Sequence, residues 1–322
     1  MILVLSTDYY EQGTDPVVAY LARENIPFIR LSVQDLVGGR PRLWVDVQQG
    51  AIWIDGIELT RVVHVVWYRR LSNGKHFNAH IGEPDAILDG LQDEVKEILD
   101  FIFYLLRDKL WLPNYAATHL NKLTLLHKAT EHDVLTPDAR LFTRREDLQD
   151  FFLTHSSVIT KPVSHNVFYI SENQMYVSFS KQLSEEEISF LAKDFHTSLF
   201  QRFIIAEHEL RVFYLDGEFY TVAAIPQNGE SMFDDIKIAR MEKKVRYQSF
   251  MLPSDEQKRL GSLMRTMDIN ICTMDILYSK SMYYLIDVNP FGQYLFESQL
   301  GNLHLEKRIA DWLIKKDKAL VK

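Results

Sequence analysis

The residue types best suited to chemistry gather between Met274 and Gln293, in MDILYSKSMYYLIDVNPFGQ. Two apolar runs flank a polar turn at Ser279-Lys280-Ser281, which predicts a β-hairpin. A hairpin centred on Ser281 sets Asp275 directly across from Asp287, because the two are equally distant from it. Opposed residues of an antiparallel pair point to the same sheet face. Asn289, two residues beyond Asp287, returns to that face. Two carboxylates and one amide oxygen therefore converge, with Ile276, Ile286 and Val288 packed behind. Hard oxygen donors without Cys or His suit Mg²⁺, which keeps several waters and commonly bridges to substrate phosphates. A plain hairpin with a polar outer face has the same pattern, and a one-residue slip of register would scatter the three groups.

A phosphate-bridging metal needs cationic groups nearby. Lys161 interrupts the apolar strand Val158-Ile159-Thr160-Lys161-Pro162, where a lysine either snorkels to solvent or holds an anion. Lys122 follows Asn121 at a helix start. Arg211 alternates with apolar residues in Glu209-Leu210-Arg211-Val212-Phe213, sharing a face with Glu209 that reads as solvated. Arg246 closes the basic run Lys243-Lys244-Val245-Arg246. Each also reads as an ordinary surface cation. Eleven histidines show no metal-ligand spacing. Cys272 sits in an apolar segment and reads as packing. Trp67-Tyr68-Arg69-Arg70 reads equally as a peptide-docking surface or as a strand-end core contact.

The elements that must position these groups are visible as alternating strand and helix signals. Ile2–Leu5 is a first strand, Asp15–Glu24 a helix with Pro16 in its first turn, and Pro27–Leu31 a second strand, a β-α-β opening without a glycine-rich fingerprint. Leu43–Leu59 alternates, with turn signals at Gln49-Gly50 and Asp55-Gly56, which predicts hairpins. Val62–Tyr68 reads as a buried strand and Pro84–Leu110 as the longest helix. Helices follow at Asn121–His132, Ser184–Asp194, Asp255–Met267 and Leu303–Lys316. Closely spaced strands crowd the chain from Leu199 onward. The expected fold class is α+β, or mixed α/β.

Composition narrows the function classes. The 322 residues are 47% hydrophobic and 25% charged, ordinary globular usage. That length is worth about two domains. Lys and Arg number 36 against 44 Asp and Glu, a net charge of −8, so no nucleic-acid partner is expected. The single cysteine cannot form an intramolecular disulfide. The start, MILVLSTDYY, lacks the basic region and apolar core of a signal peptide. Ile98–Leu106, the most apolar helical stretch, is far short of the roughly 20 residues that span a bilayer. The expectation is a soluble, cytoplasmic protein with no membrane partner.

Taken in order, a set of pieces runs along nearly the whole chain: MILVLS, VVWYRR, Asn121-Lys122, Lys161-Pro162, QRFIIAEHELRVFYL, Pro226-Gln227, Asp235-Ile236-Lys237, Arg246 ahead of Leu252-Pro253, Asp275 and DVNPFGQY. The ordered set resembles the ATP-grasp ligases. It is most similar to the peptide maturases that install ester or amide cross-links in ribosomally made peptides, the graspetide or microviridin type. Among these it looks closest to the grasp-with-spasm ATP-grasp peptide maturases.

The resemblance implies an ATP-grasp fold in three parts: an N-terminal α/β domain over 1–118, a central lobe over 119–198 and a C-terminal lobe over 199–322. It implies ATP and Mg²⁺ as cofactors. Lys122 and Lys161 would hold phosphates. Gln201, Arg202, Phe203 and Ile204 would form the hinge that reads adenine, and Glu207 would reach the ribose. Arg211 would contact phosphate, with Lys237 and Arg246 steering the substrate carboxylate and its acyl phosphate. Asp275, Asp287 and Asn289 would bind Mg²⁺. The chain departs from the family at Asp287, where Glu is usual, and at Asp235-Ile236-Lys237, where Asp-Phe-Arg is usual. Asp287 is one methylene shorter, and Lys237 lacks the bidentate fork of arginine.

The implied reaction activates Asp or Glu side chains of a precursor peptide, leader plus core, and joins them to Ser or Thr hydroxyls or Lys amines. Phosphoryl transfer rests on positioning and charge neutralisation, so no protein nucleophile is needed. Implied partners are that peptide, a radical-SAM/SPASM enzyme of the same pathway, and a second copy in a homodimer. Two other readings stay open: an ATP-grasp ligase that joins free amino acids or tails a protein end, and a nucleotide-dependent peptide-binding module without catalysis.

Overall fold

The computed structural model describes residues 1–33, 35, 41–69, 85–163, 168–171, 174–177, 180–226 and 245–320. The chain packs into two compact units. One comprises Met1–Thr118, Asp268–Cys272 and Pro290–Lys322; the other comprises His119–Met267 and Thr273–Asn289.

The first unit opens with β1 (Ile2–Leu5), α1 (Asp15–Arg23) and β2 (Phe28–Leu31), and β1 pairs β2 in parallel as the sequence predicts. Thr14 precedes α1, proline lies in its first turn, and Asp15 and Arg23 complement the helix dipole at its two ends. Next come β3 (Leu43–Asp46), β4 (Ala51–Ile54), β5 (Ile57–Glu58), the single turn α2 (Leu59–Val62) and β6 (Val65–Tyr68). The predicted hairpin turns fall at Gly50 and Gly56, both at positive φ that glycine adopts without strain. The helical pattern over Pro84–Leu110 is shorter than expected: α3 spans Asp85–Leu105, and Leu110–Leu112 is instead β7, paired in parallel with β6. Burial decides this. Trp111 and Leu112 are almost fully covered within the sheet ordered β2-β1-β6-β7. Leu3, Leu5, Ile52, Leu59, Val66, Ile102, Leu106 and Trp111 form one core. Trp67 and Arg69 are buried at the strand end, Arg69 against Glu11, the Phe291 carbonyl and the Tyr294 ring; Arg70 lies outside the described residues.

The second unit begins with α4 (Lys122–Glu131), β8 (Ala139–Arg144), α5 (Arg145–His155) and β9 (Val158–Lys161). The small hairpin β10 (Phe168–Ser171) and β11 (Gln174–Val177) follows, then β12 (Lys181–Leu183), α6 (Glu185–Phe190) and β13 (Asp194–Arg202). Ser184 and Glu187 form the reciprocal capping box expected of them, but α6 stops at Phe190 because Asp194 already belongs to β13. The sheet runs β12-β9-β13-β8, and Phe200 on β13 packs with Leu148, Phe151, Val158 and Ile188. Gln201, its neighbour, therefore lies on the opposite face with Leu199, opposed by Ile159 and Lys161.

A five-stranded antiparallel sheet completes this unit: β14 (His208–Leu215), β15 (Glu218–Pro226), β16 (Val245–Phe250), β17 (Ile271–Ser279) and β18 (Met282–Asn289), ordered β16-β15-β14-β17-β18. Helix α7 (Ser254–Thr266) covers one face. A methyl group added at its buried Gly261 would lie 3.8 Å from the Phe219 ring. Phe219 opposes Tyr214, and both alternate away from Arg211. The Arg211 face is thus the one that α7 leaves free. The chain then returns to the first unit with α8 (Leu295–Gly301) and α9 (Leu305–Leu320), the latter packed on α1. No described helix is long and apolar enough to cross a membrane.

The β17–β18 hairpin differs from its predicted form in an instructive way. Ser279 pairs with Met282 and Ile276 with Leu285, so the turn is Lys280-Ser281, both at positive φ, and the hairpin centre falls between them. On that register Asp275 would face Ile286. One extra residue on β18 shifts the ladder between Ile276 and Asp275, and Asp275 meets Asp287, Met274 meets Val288 and Thr273 meets Asn289. The predicted pairing holds, by a tighter turn followed by a bulge. Replacing Lys280-Ser281 by Asn-Gly, the pair this turn prefers, should raise unfolding stability by about 1 kcal/mol through relief of left-handed strain. Urea denaturation of the double variant measures it.

Candidate functional site

The side chains assembled on the free face come from distant segments. Asn121 caps α4, its Oδ1 accepting from the Leu123 and Thr124 backbone N–H groups at 2.9 and 3.1 Å. That cap aims Lys122 so that its Nζ lies 3.0 Å from Asp287 Oδ1 and 3.1 Å from Oδ2. Asn121→Ala should therefore cost about 1 kcal/mol in thermal unfolding, the usual worth of such a cap. Lys161 Nζ donates to the Ile286 carbonyl at 2.7 Å, the oxygen that the bulge turns out of the ladder. Burial lowers the Lys161 pKa, while Asp287 and Asp275 pull it back up and Lys122 adds to the lowering. Arg211 Nη1 donates to Asp275 Oδ1.

Three cations and two carboxylates thus meet on one sheet face, with Asn289 in register beyond them. The face is less solvated than the sequence pattern indicates, since Glu209 beside Arg211 is only 5% exposed. Among the described residues no group of three or more His, Cys, Asp or Glu is placed to cage a metal. Two carboxylates and an amide oxygen still fit Mg²⁺, which typically takes one or two carboxylates and completes its shell with phosphates and water. The Lys122 ammonium seated between both Asp287 oxygens shows that this carboxylate accommodates a cation.

A cavity of about 740 Å³ adjoins the same hairpin face. Its walls include Arg202, Phe203, Ile204, Ile205, Ala206 and Glu207, the segment that leaves β13 for β14. Ser279, Met282 and Tyr284 supply the hairpin side, and by register they share the face of Asp275 and Asp287. The Ser279 hydroxyl donates to the Ile205 carbonyl at 2.7 Å and the Lys280 N–H to Glu207 Oε1 at 2.8 Å, pinning the segment to the turn. Gln201 is 1% exposed, and among the described residues its Nε2 finds no hydrogen-bond partner. A buried amide donor left unsatisfied costs on the order of 1–3 kcal/mol, so this group is suited to a ligand.

The structure gathers Lys122, Lys161, Gln201, Arg202, Phe203, Ile204, Glu207, Arg211, Asp275, Asp287 and Asn289 in one unit. Lys237 lies outside the described residues. Arg246 is not brought to the cluster. Register opposes it to Ile225, on the face away from Arg211, and its Nη2 donates to Gln248 Oε1 at 3.0 Å. Arg246 lies three positions before Ser249, which opposes Val222 and through it Arg211, so strand alternation sends Arg246 the other way. Tyr284 and His155 on the cavity wall escaped sequence reading. Neither had a usable signal: Tyr284 is three residues from Asp287, so plain alternation sends it to the other face and only the bulge brings it back, and His155 closes α5 with no motif around it.

No family model matches the chain, and no curated protein does. Solved structures do match over the full length. The macrocyclase MdnC of Microcystis aeruginosa MRC, bound with precursor peptide MdnA, is 19% identical with a TM-score of 0.80, over 98% of this chain and 99% of that one. A RiPP-associated ATP-grasp ligase of Chryseobacterium gregarium, in complex with ADP and a leader and core peptide, is 20% identical with a TM-score of 0.82, over 98% and 96%. The ATP-grasp ligase PsnB, complexed with minimal precursor, Mg and ADP, is 13% identical with a TM-score of 0.77, over 98% of each chain. At these identities the likeness is one of fold, and the chain has the mixed α/β ATP-grasp ligase fold.

Proposed function

We propose that this protein is an ATP-dependent carboxylate ligase. Its substrate would be a ribosomally made precursor peptide, whose Asp or Glu side chains it joins to Ser or Thr hydroxyls as esters or to Lys amines as amides. The observation that carries this reading is the continuity of one hairpin face. A cavity roomy enough for a nucleoside, walled by the β13–β14 segment, leads along Met282 and Tyr284 to the cations and carboxylates. That order matches base, ribose and phosphates laid end to end. Structural neighbours that carry peptide, ADP and Mg point the same way.

In this reading the Arg202–Ile204 backbone and the Gln201 amide recognise the base, and Glu207 the ribose. Lys122, Lys161 and Arg211 neutralise phosphate oxygens, which is most of what phosphoryl transfer asks of a protein. Asp275, Asp287 and Asn289 would hold Mg²⁺, which when bound would offset negative charge on the phosphates. A peptide carboxylate then takes the γ-phosphoryl group, ADP leaves, and a hydroxyl or amine displaces phosphate at the acyl carbon. The net change is one water lost from the peptide per bond. The three-part division at residues 118 and 198, the cytoplasmic setting, the homodimer and a radical-SAM partner belong to this proposal as well.

The test is to incubate the protein with ATP, Mg²⁺ and a candidate precursor, measuring ADP and peptide mass together. ADP formation with loss of the mass of one water per cross-link is the expected result. Tight peptide binding with neither ADP nor mass loss would favour the binding-module reading instead. Turnover on free amino acids but on no peptide would favour the amino-acid ligase.

A further inference from the structure

The charges on the hairpin face are already matched to one another, and this has a consequence for how a metal can enter. Asp287 offers both oxygens to the Lys122 ammonium, at 3.0 and 3.1 Å. Asp275 accepts from the Arg211 guanidinium, and the Ile286 carbonyl beside Asp287 accepts from Lys161. Both ion pairs are largely shielded, with side-chain exposures of 24% and 36% for Lys122 and Asp287, and 18% and 25% for Arg211 and Asp275. A bare divalent cation approaching this patch finds the carboxylates it needs already in use. A nucleotide triphosphate approaching the same patch meets attraction, because its oxygens are acceptors for all three cations.

We propose that Lys122 is a positioning residue that acts as a resident counter-ion at Asp287, keeping the carboxylate ordered and closed to free metal until phosphates draw the ammonium away. This rests on the nucleotide-site reading above and adds an order to it: divalent metal is admitted with the nucleotide, not before it. Lys122 serves both states, since the ammonium that balances Asp287 alone is carried to phosphate when Asp287 takes the metal. Lys161 cannot substitute, because it is held by a backbone carbonyl rather than by either carboxylate. Arg211 guards Asp275 in the same manner, but its fixed planar fork moves less freely than a lysine stem.

The experiment uses Mn²⁺ alone as the probe, following free Mn²⁺ by electron paramagnetic resonance with no nucleotide present. Wild-type protein should bind it weakly. Lys122→Met, which keeps the length and removes the charge, should bind it roughly tenfold more tightly, the scale of one close charge under partial screening. Asp287→Asn in the Lys122→Met background should erase that gain. The same Lys122→Met protein should bind a non-hydrolysable ATP analogue more weakly than wild type, so metal and nucleotide affinities move in opposite directions. A variant that merely loosens the structure would weaken both. Lys122→Gln, with a neutral donor retained, is the second variant and should show the same gain if charge is responsible. Unchanged or weaker Mn²⁺ binding by both folded variants overturns the proposal. Failure of wild-type protein to bind the analogue at all would instead sink the nucleotide-site reading, while the nucleotide-free Mn²⁺ comparison would still report on the Lys122–Asp287 exchange.

Discussion

Asp275→Asn is expected to lower ADP formation on the order of 10³-fold while leaving the fold intact. Asp275 is one of the two carboxylates that the β17–β18 hairpin brings together, and the bulge in β18 places it directly across from the other. The asparagine is isosteric, so the ladder and the packing of Met274 and Ile276 behind it are undisturbed. What changes is charge. The metal position keeps a single anionic ligand, and Arg211 loses the carboxylate that orients its guanidinium. Peptide mass spectrometry and an ADP assay on the same sample measure the effect, with circular dichroism as the check on folding. Activity within a few-fold of wild type would show that Asp275 only balances Arg211.

Lys161→Met should act in opposite directions on affinity and stability. The ammonium reaches across from β9 to the bulge carbonyl, near both carboxylates. Losing a charge-assisted contact to phosphate should weaken binding of an ATP analogue about 10²-fold. Yet burial lowers the Lys161 pKa, so the charged form is held at some cost to the ligand-free fold. Methionine fills the same path without that cost and should raise the unfolding stability of the ligand-free protein by about 1 kcal/mol. Thermal melts with and without analogue read both effects: a higher midpoint alone, and a smaller shift on adding analogue. A lower midpoint for the ligand-free variant would mean that the Lys161–Ile286 contact chiefly stabilises the fold. Lys161→Arg is no rescue, since a planar fork does not reproduce a point charge on a flexible stem.

The residues of this protein determine a good deal without help from the fold. Alternation and turn residues mark the Leu43–Leu59 hairpins, and the β-α-β opening follows from an apolar run, a proline in the first helical turn and a second run. The carboxylate pair of Asp275 and Asp287 is legible because a hairpin ties its two arms by counting. The chain order of lysines, hinge and carboxylates carries the resemblance that the full-length fold bears out.

What the sequence leaves open is whatever depends on partners far along the chain. Periodicity reports the neighbours of a residue at i+2 or i+4, not the strand that comes to lie beside it. Lys122 meets Asp287 across 165 positions and Lys161 meets Ile286 across 125. Leu110–Leu112 carries a helical pattern and becomes a strand because β6 is there to pair with it. Arg246 sits in a motif that runs with the site residues, yet strand register turns it to the other face. The bulge at Ile286 shows the division most clearly. The turn chooses the tightest two-residue loop for local reasons, and only the packed sheet, with Lys161 waiting for the freed carbonyl, decides that one residue must be spent to bring the two aspartates together.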